Sequence, residues 1–131
     1  MAAIEGVEVI NTIKGIGVDI INVARFENMT DRFMARVYTS RERAYLQSKS
    51  HVSAAGLFAA KEAVSKALGT GFSGFWPNQI EIIHDGRGKP EVVLHGEADV
   101  IAKKLAGGSY TLSISISHTD TDAMAFAVLS L

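Results

Sequence analysis

The chain predicts an α+β fold, and three segments carry that expectation. Ile13 to Ile21 (IKGIGVDII) is a β-branched, apolar run, the composition of a strand. Val52 to Leu68 (VSAAGLFAAKEAVSKAL) is rich in Ala, Leu, Lys and Glu and is followed by Gly69, as in a helix ending on a left-handed glycine. The chain from Ile80 onward holds two pairs of short apolar runs around turn residues, which read as hairpins. A strand, several helices, a hairpin, a helix and a second hairpin, in that order, form an α+β pattern.

Length and composition bound the rest. A chain of 131 residues, 47% hydrophobic and 21% charged, is one globular domain with enough length to bury a core. We assign residues 1–12 to an N-terminal extension and residues 13–131 to the domain. The absence of cysteine excludes disulfides, zinc thiolates and a thiol nucleophile. A net charge of −1 supplies no general drive toward nucleic acid or a membrane surface. The opening MAAIEGVEVINT has no basic region of a signal peptide, and no apolar run approaches the roughly 20 residues of a membrane span. The expectation is a cytoplasmic protein.

Along the first strand, alternation puts Ile16, Val18 and Ile20 on one face and Gly15, Gly17 and Asp19 on the other. Asn22 to Met34 reads as one helix, with Val23, Phe26 and Phe33 inward and Arg25 and Arg32 outward. Thr39-Ser40-Arg41-Glu42 is a cap leading into a short helix through Ser48. The long helix over 52–68 places Leu57, Ala60, Val64 and Leu68 toward the core and Glu62, Ser65 and Lys66 on the other side. Thr70 to Pro77 is a glycine-rich loop with aromatics. Ile80–His84 and Glu91–His95 are strands joined by Asp85-Gly86-Arg87-Gly88-Lys89-Pro90, a strong turn sequence. A helix from Glu97 to Leu105 stops at Gly107-Gly108. Strands Tyr110–Ser117 and Ala123–Leu129 enclose His118-Thr119-Asp120-Thr121-Asp122.

Several residues are candidates for chemistry. Asp19 is a carboxylate near the end of an apolar strand, costly to bury unless something positive meets it; the glycines on its face leave room for a ligand or another backbone. Its plainer reading is a helix cap or an arginine partner. Glu62 and Lys66, spaced i, i+4, are in isolation a surface ion pair. Their alternative role requires Glu62 beside Asp19, because two carboxylates with phosphate oxygens and water are how proteins usually hold Mg²⁺. Lys66 would then face the same phosphates as a point charge. Ser117, His118, Thr119 and Asp120 form a polar cluster at a strand end, suited to anion or hydroxyl binding and equally to ordinary turn structure. His51, His84 and His95 have no partner visible in the sequence. Arg25, Arg32, Arg36, Arg41 and Arg43 are a solvated helix surface or a docking site for an acidic partner.

Three of these segments together resemble the holo-acyl-carrier-protein synthases, the small trimeric type of 4′-phosphopantetheinyl transferase. Gly15-Ile16-Gly17-Val18-Asp19-Ile20 is similar to the family's amino-terminal metal motif. Phe58 to Gly71 (FAAKEAVSKALGTG) is similar to its central helix, and Ser113-Ile114-Ser115-Ile116-Ser117-His118 to its late strand and histidine. The Gly88-Lys89-Pro90 turn also fits. The resemblance implies the transferase fold, an antiparallel sheet packed against a long central helix. It implies Asp19 and Glu62 as Mg²⁺ ligands, Lys66 as a catalytic and phosphate-contacting residue, and Ser117, His118 and Thr119 near the adenosine end of coenzyme A. It also implies a homotrimer with active sites at subunit interfaces, and Arg25 and Arg32 as docking residues for an acidic acyl carrier protein. Leu57 departs from the pattern, standing where many relatives have an arginine.

The activity so implied is transfer of 4′-phosphopantetheine from coenzyme A to a carrier-protein serine, with adenosine 3′,5′-bisphosphate leaving and with Glu62 or a polarised water taking the serine proton. The alternatives are a non-catalytic coenzyme A or nucleotide-binding module and a purely structural protein. Both of these leave Glu62→Gln without consequence.

Overall fold

The computed structural model describes residues 12–131. The extension assigned to residues 1–12 therefore lies outside the described residues except for Thr12, whose carbonyl accepts a hydrogen bond from the Leu131 amide. The order is β1 (Ile13–Asn22), α1 (Asp31–Val37), α2 (Ser40–Leu46), α3 (His51–Ala67), β2 (Ile80–His84), β3 (Pro90–Leu94), α4 (Gly96–Ala106), β4 (Thr111–His118) and β5 (Asp122–Ser130). Strands β1, β5 and β4 form an antiparallel sheet in that order, and β2 and β3 a separate hairpin. This is the α+β arrangement expected, with α3 lying across the three-stranded sheet. Among the described residues no helix is long and apolar enough to cross a membrane.

The first helical region differs from expectation. In place of one helix over Asn22 to Met34, a single 3₁₀ turn (Val23–Phe26) is followed by a break and then by α1. Two capping side chains within nine residues cause the split: Asn22 accepts from the Ala24 amide and Thr30 from the Phe33 amide. A second cap inside a helical pattern offers the backbone an exit and a restart. The predicted inward residues hold, with Val23 and Phe26 buried and Phe33 packed edge-on to Phe26. Arg25 and Arg32 are exposed. The cap at Thr39 is a full capping box with Glu42.

Helix α3 is unusual in what it presents to the sheet. Ala54, Ala55, Ala59, Ala60, Ala63 and Ala67 are buried in it, and it packs on β5, where Ala123, Ala125 and Ala127 are buried too. Small residues on both sides let helix and sheet approach closely. In β1 and β5 most of the large side chains fall on the outward face. Ile16, Val18 and Ile20 of β1 pair with Val128, Phe126 and Met124 of β5, and Ile16, Val18, Ile20, Met124 and Phe126 are each 45–65% exposed. Ser65, placed outward with Glu62 and Lys66 by helical spacing, is instead fully buried, its hydroxyl donating to the Glu62 carbonyl. Satisfying the hydroxyl within its own helix removes the cost of burying it.

Candidate active site

The glycines of β1 bring Asp19 to its place. A methyl group at Gly17 would overlap the Ala63 carbonyl oxygen and lie 2.8 Å from the Ala67 nitrogen; one at Gly15 would overlap the Ala67 carbonyl. The strand backbone thus rests directly on α3, which only residues without a Cβ permit. Asp19, next on the same face, is delivered to the part of the helix that carries Glu62 and Lys66.

Lys66 Nζ donates to Asp19 Oδ1 at 3.1 Å and to the Val18 carbonyl at 3.0 Å. The local Glu62–Lys66 pair that spacing alone favours is not among the described ion pairs; the partner of Lys66 is 47 residues away. Burial raises the Glu62 carboxyl above the usual glutamate range, and the negative charge of Asp19 adds to that rise, while Lys66 and Arg25 oppose it. Two carboxylates, an ammonium and a guanidinium therefore sense one another in a partly buried space.

This donor set is informative about what it suits. Among the described residues no three His, Cys, Asp or Glu side chains gather as a metal cluster. Two carboxylates are too few for a closed structural zinc or an all-protein calcium cage. They are the number that holds Mg²⁺ when substrate phosphates and water complete its shell. A cation there would also relieve the repulsion from Asp19 that adds to the rise at Glu62.

The structure does not bring the third motif to the same point within one chain. Ser117, His118 and Thr119 are exposed at the end of β4, separated from β1 by β5. Ile116 faces α3, since its methyl lies near Gly56, so alternation turns Ser117 to the outward face. Thr119 Oγ1 accepts from the amides of Thr121 and Asp122, and His118 Nδ1 lies 3.4 Å from the Thr119 carbonyl.

Sequence patterning missed a cleft of about 180 Å³ between α3, the β2–β3 turn and β4. Tyr45, Ser53, Gly56, Leu57, His84 and Ile116 are among its lining residues. Tyr45 and His84 stack with centroids 4.3 Å apart and rings within 4° of parallel, and burial lowers the His84 imidazole below the ordinary range, with Lys49 adding to it. The pair joins α2 to β2, so no local spacing announces it. Leu57 is buried against this cleft. His95, unpartnered in the sequence reading, lies 3.1 Å from Glu81.

Comparison with known proteins bears on this geometry. The sequence profile of the 4′-phosphopantetheinyl transferase superfamily matches residues 15–115. A protein of Clostridium acetobutylicum named holo-[acyl-carrier-protein] synthase is 48% identical, covering 91% of this chain and 98% of its own length. A crystal structure of a holo-(acyl-carrier-protein) synthase from Bacillus anthracis in complex with CoA (3′,5′-ADP) superposes with a TM-score of 0.76 at 38% identity, covering 92% of this chain and 98% of that one. The Helicobacter pylori synthase in complex with coenzyme A gives 0.73 at 33% identity, covering 88% and 99%.

Proposed function

The chain belongs to the 4′-phosphopantetheinyl transferase superfamily, and from that premise we propose that Asp19, Glu62 and Lys66 form the centre at which it works. Like the synthases it matches, it transfers 4′-phosphopantetheine from coenzyme A to a serine of apo acyl carrier protein, in the cytoplasm. The observation that carries the reading is the convergence of Asp19 with the Glu62–Lys66 face of α3.

Asp19 and Glu62 would hold Mg²⁺, which when bound supplies Lewis-acid polarisation and a template for the pyrophosphate. The serine hydroxyl attacks the β-phosphorus of coenzyme A; the bond to the bridging oxygen breaks and adenosine 3′,5′-bisphosphate departs. In such transfers the protein mainly positions the reactants and neutralises charge. Lys66 balances charge on the phosphates, and the serine proton passes to Glu62 directly or through a water. The stacked Tyr45–His84 cleft, with His118 and Thr119 beyond Ile116, supports binding of the adenosine end. A buried Leu57 in its wall offers no charge to a phosphate. The test is to mix the protein with apo carrier, coenzyme A and Mg²⁺ and follow carrier mass. Gain of phosphopantetheine that EDTA stops is expected; no gain across several carriers would sink the reading.

Arg25, Asn28, Met29, Thr30 and Phe33 line a shallow cavity of about 250 Å³, and Arg25 is close enough to influence Glu62. We assign the acidic carrier to this surface, with Arg32 in the adjoining helix. Arg25→Glu is expected to raise KM for the carrier about 10-fold or more, and by a larger factor than KM for coenzyme A, since reversing a rim charge acts mainly on encounter. Equal effects on both constants in steady-state kinetics would contradict that assignment.

The outward apolar face of β1 and β5 supports a homotrimer, because contiguous apolar surface of this kind marks an interaction site. Phe126→Glu is expected to leave the chain sedimenting as a monomer, whereas an intact trimer would exclude this face as the interface.

A further inference from the structure

Lys61 directly precedes Glu62, yet its side chain is completely buried. Its Nζ donates to Glu42 Oε1 at 2.7 Å, to the Pro77 carbonyl at 3.3 Å and to the Ile80 carbonyl, three acceptors for the three protons of an ammonium. Glu42 is equally buried. Its Oε1 also accepts from the Thr39 amide and its Oε2 from the Ile82 amide, each at 2.9 Å. One ammonium thus ties α3 to α2 and to the start of β2.

A buried ion pair is a poor device for stability, since apolar residues of similar volume often serve as well. Geometry offers another reason for it. Gly17 and Gly15 touch α3 at Ala63 and Ala67, four residues apart and so along a line nearly parallel to the helix axis. These contacts set the spacing of strand and helix, and β4 and β5 pack on the same side of α3, which leaves the far side of the helix to be held by other elements. Lys61 is two residues from Ala63, about 200° round the helix, and so anchors the side opposite the glycine contacts. Glu62 lies between the two. A roll of about 10° moves a group about 6 Å from the axis by about 1 Å, and misplacement of that size costs on the order of 100-fold in rate.

We propose that Lys61 is a positioning residue, and that the buried Lys61–Glu42 pair holds α3 against roll so that Glu62 faces Asp19. This rests on the reading of Asp19 and Glu62 as the metal-binding pair.

The test replaces the pair by neutral residues of similar size, Lys61→Met with Glu42→Gln, and measures Mn²⁺ affinity by electron paramagnetic resonance in the presence of coenzyme A. With circular dichroism and sedimentation as in wild type, Mn²⁺ binding about 10-fold weaker or worse is expected. Wild-type affinity in the folded double variant overturns the proposal. Should that variant not fold, the cysteine-free chain permits Lys61→Cys, alkylated in denaturant with bromoethylamine or bromopropylamine and refolded. The first restores the reach of lysine; the second has the same charge and one more methylene. Recovery of Mn²⁺ affinity by the aminoethyl form alone is expected, and equal affinity of the two forms overturns the proposal. A wild-type chain that binds no Mn²⁺ removes the metal reading itself, an outcome visible before any variant is made.

Discussion

Glu62→Gln, at a proposed Mg²⁺ ligand, is expected to lower transfer by about 100-fold or more while leaving the metal-free chain at least as stable as wild type. The first effect follows from removing one of two carboxylates, since a Lewis acid contributes several kcal/mol to charge stabilisation and each 1.36 kcal/mol is about tenfold in rate. The second follows from the direction in which the carboxyl is shifted. Burial and the Asp19 charge raise it above its ordinary value in the folded chain. A group raised on folding stabilises the fold below its unfolded pKa and loses that contribution as pH rises through the folded one. At neutral pH the ionised Glu62 therefore works against folding in the absence of metal, and the neutral amide does not. Carrier mass reports the first effect and the urea midpoint in EDTA at pH 7 the second. Transfer at the wild-type rate would remove Glu62 from the site; a marked loss of stability would show that its charge is structural.

Gly17→Ala is expected to be, with Gly15→Ala, among the most damaging single methyl groups that can be added to this protein near its site. The added carbon meets backbone, the Ala63 carbonyl and the Ala67 amide, and neither can rotate away as a side chain would. Overpacking costs typically 1–3 kcal/mol and more where nothing yields, so about 3 kcal/mol is expected, a fall in melting temperature of about 10 °C. Relief by lifting β1 from α3 would carry Asp19 away from Glu62 and Lys66, so turnover should fall further than the folded fraction does. A scanning calorimetry trace and a transfer assay on the same sample separate the two. Unchanged turnover in the folded fraction would mean that the distance between strand and helix is not what aligns the site.

Much of this was legible in the chain because it depends on neighbours in sequence. The long helix, the capping box at Thr39, both hairpins and the glycine stop after α4 each follow from residues within a few positions of one another. The break in the first helical region was also written locally, in Thr30 and Asp31, but a continuous apolar pattern masks a cap that falls inside it. Ser65 was misplaced because helical spacing says which side a residue is on and not how much of the circumference the fold covers. Here α3 is covered on most of its surface, with Lys61 and Ser65 buried as fully as its alanines.

By itself, then, the sequence determined the α+β class, most element boundaries and the residue types of a candidate phosphate and metal site, since propensity, capping and turn chemistry act over a few residues. It left Glu62 and Lys66 readable as an ordinary surface pair. Only the tertiary structure decided that Lys66 reaches Asp19, that two acids share one partly buried space, and that Tyr45 meets His84. It also decided that β1 and β5 turn most of their large side chains outward and their glycines and alanines inward. These are contacts between segments tens of residues apart, and their energies depend on distance and burial that no local pattern carries. Gly15 and Gly17 connect the two levels: residues without a Cβ in a strand are visible in the sequence, but only the helix resting on them shows that the missing atoms are what bring Asp19 to Glu62.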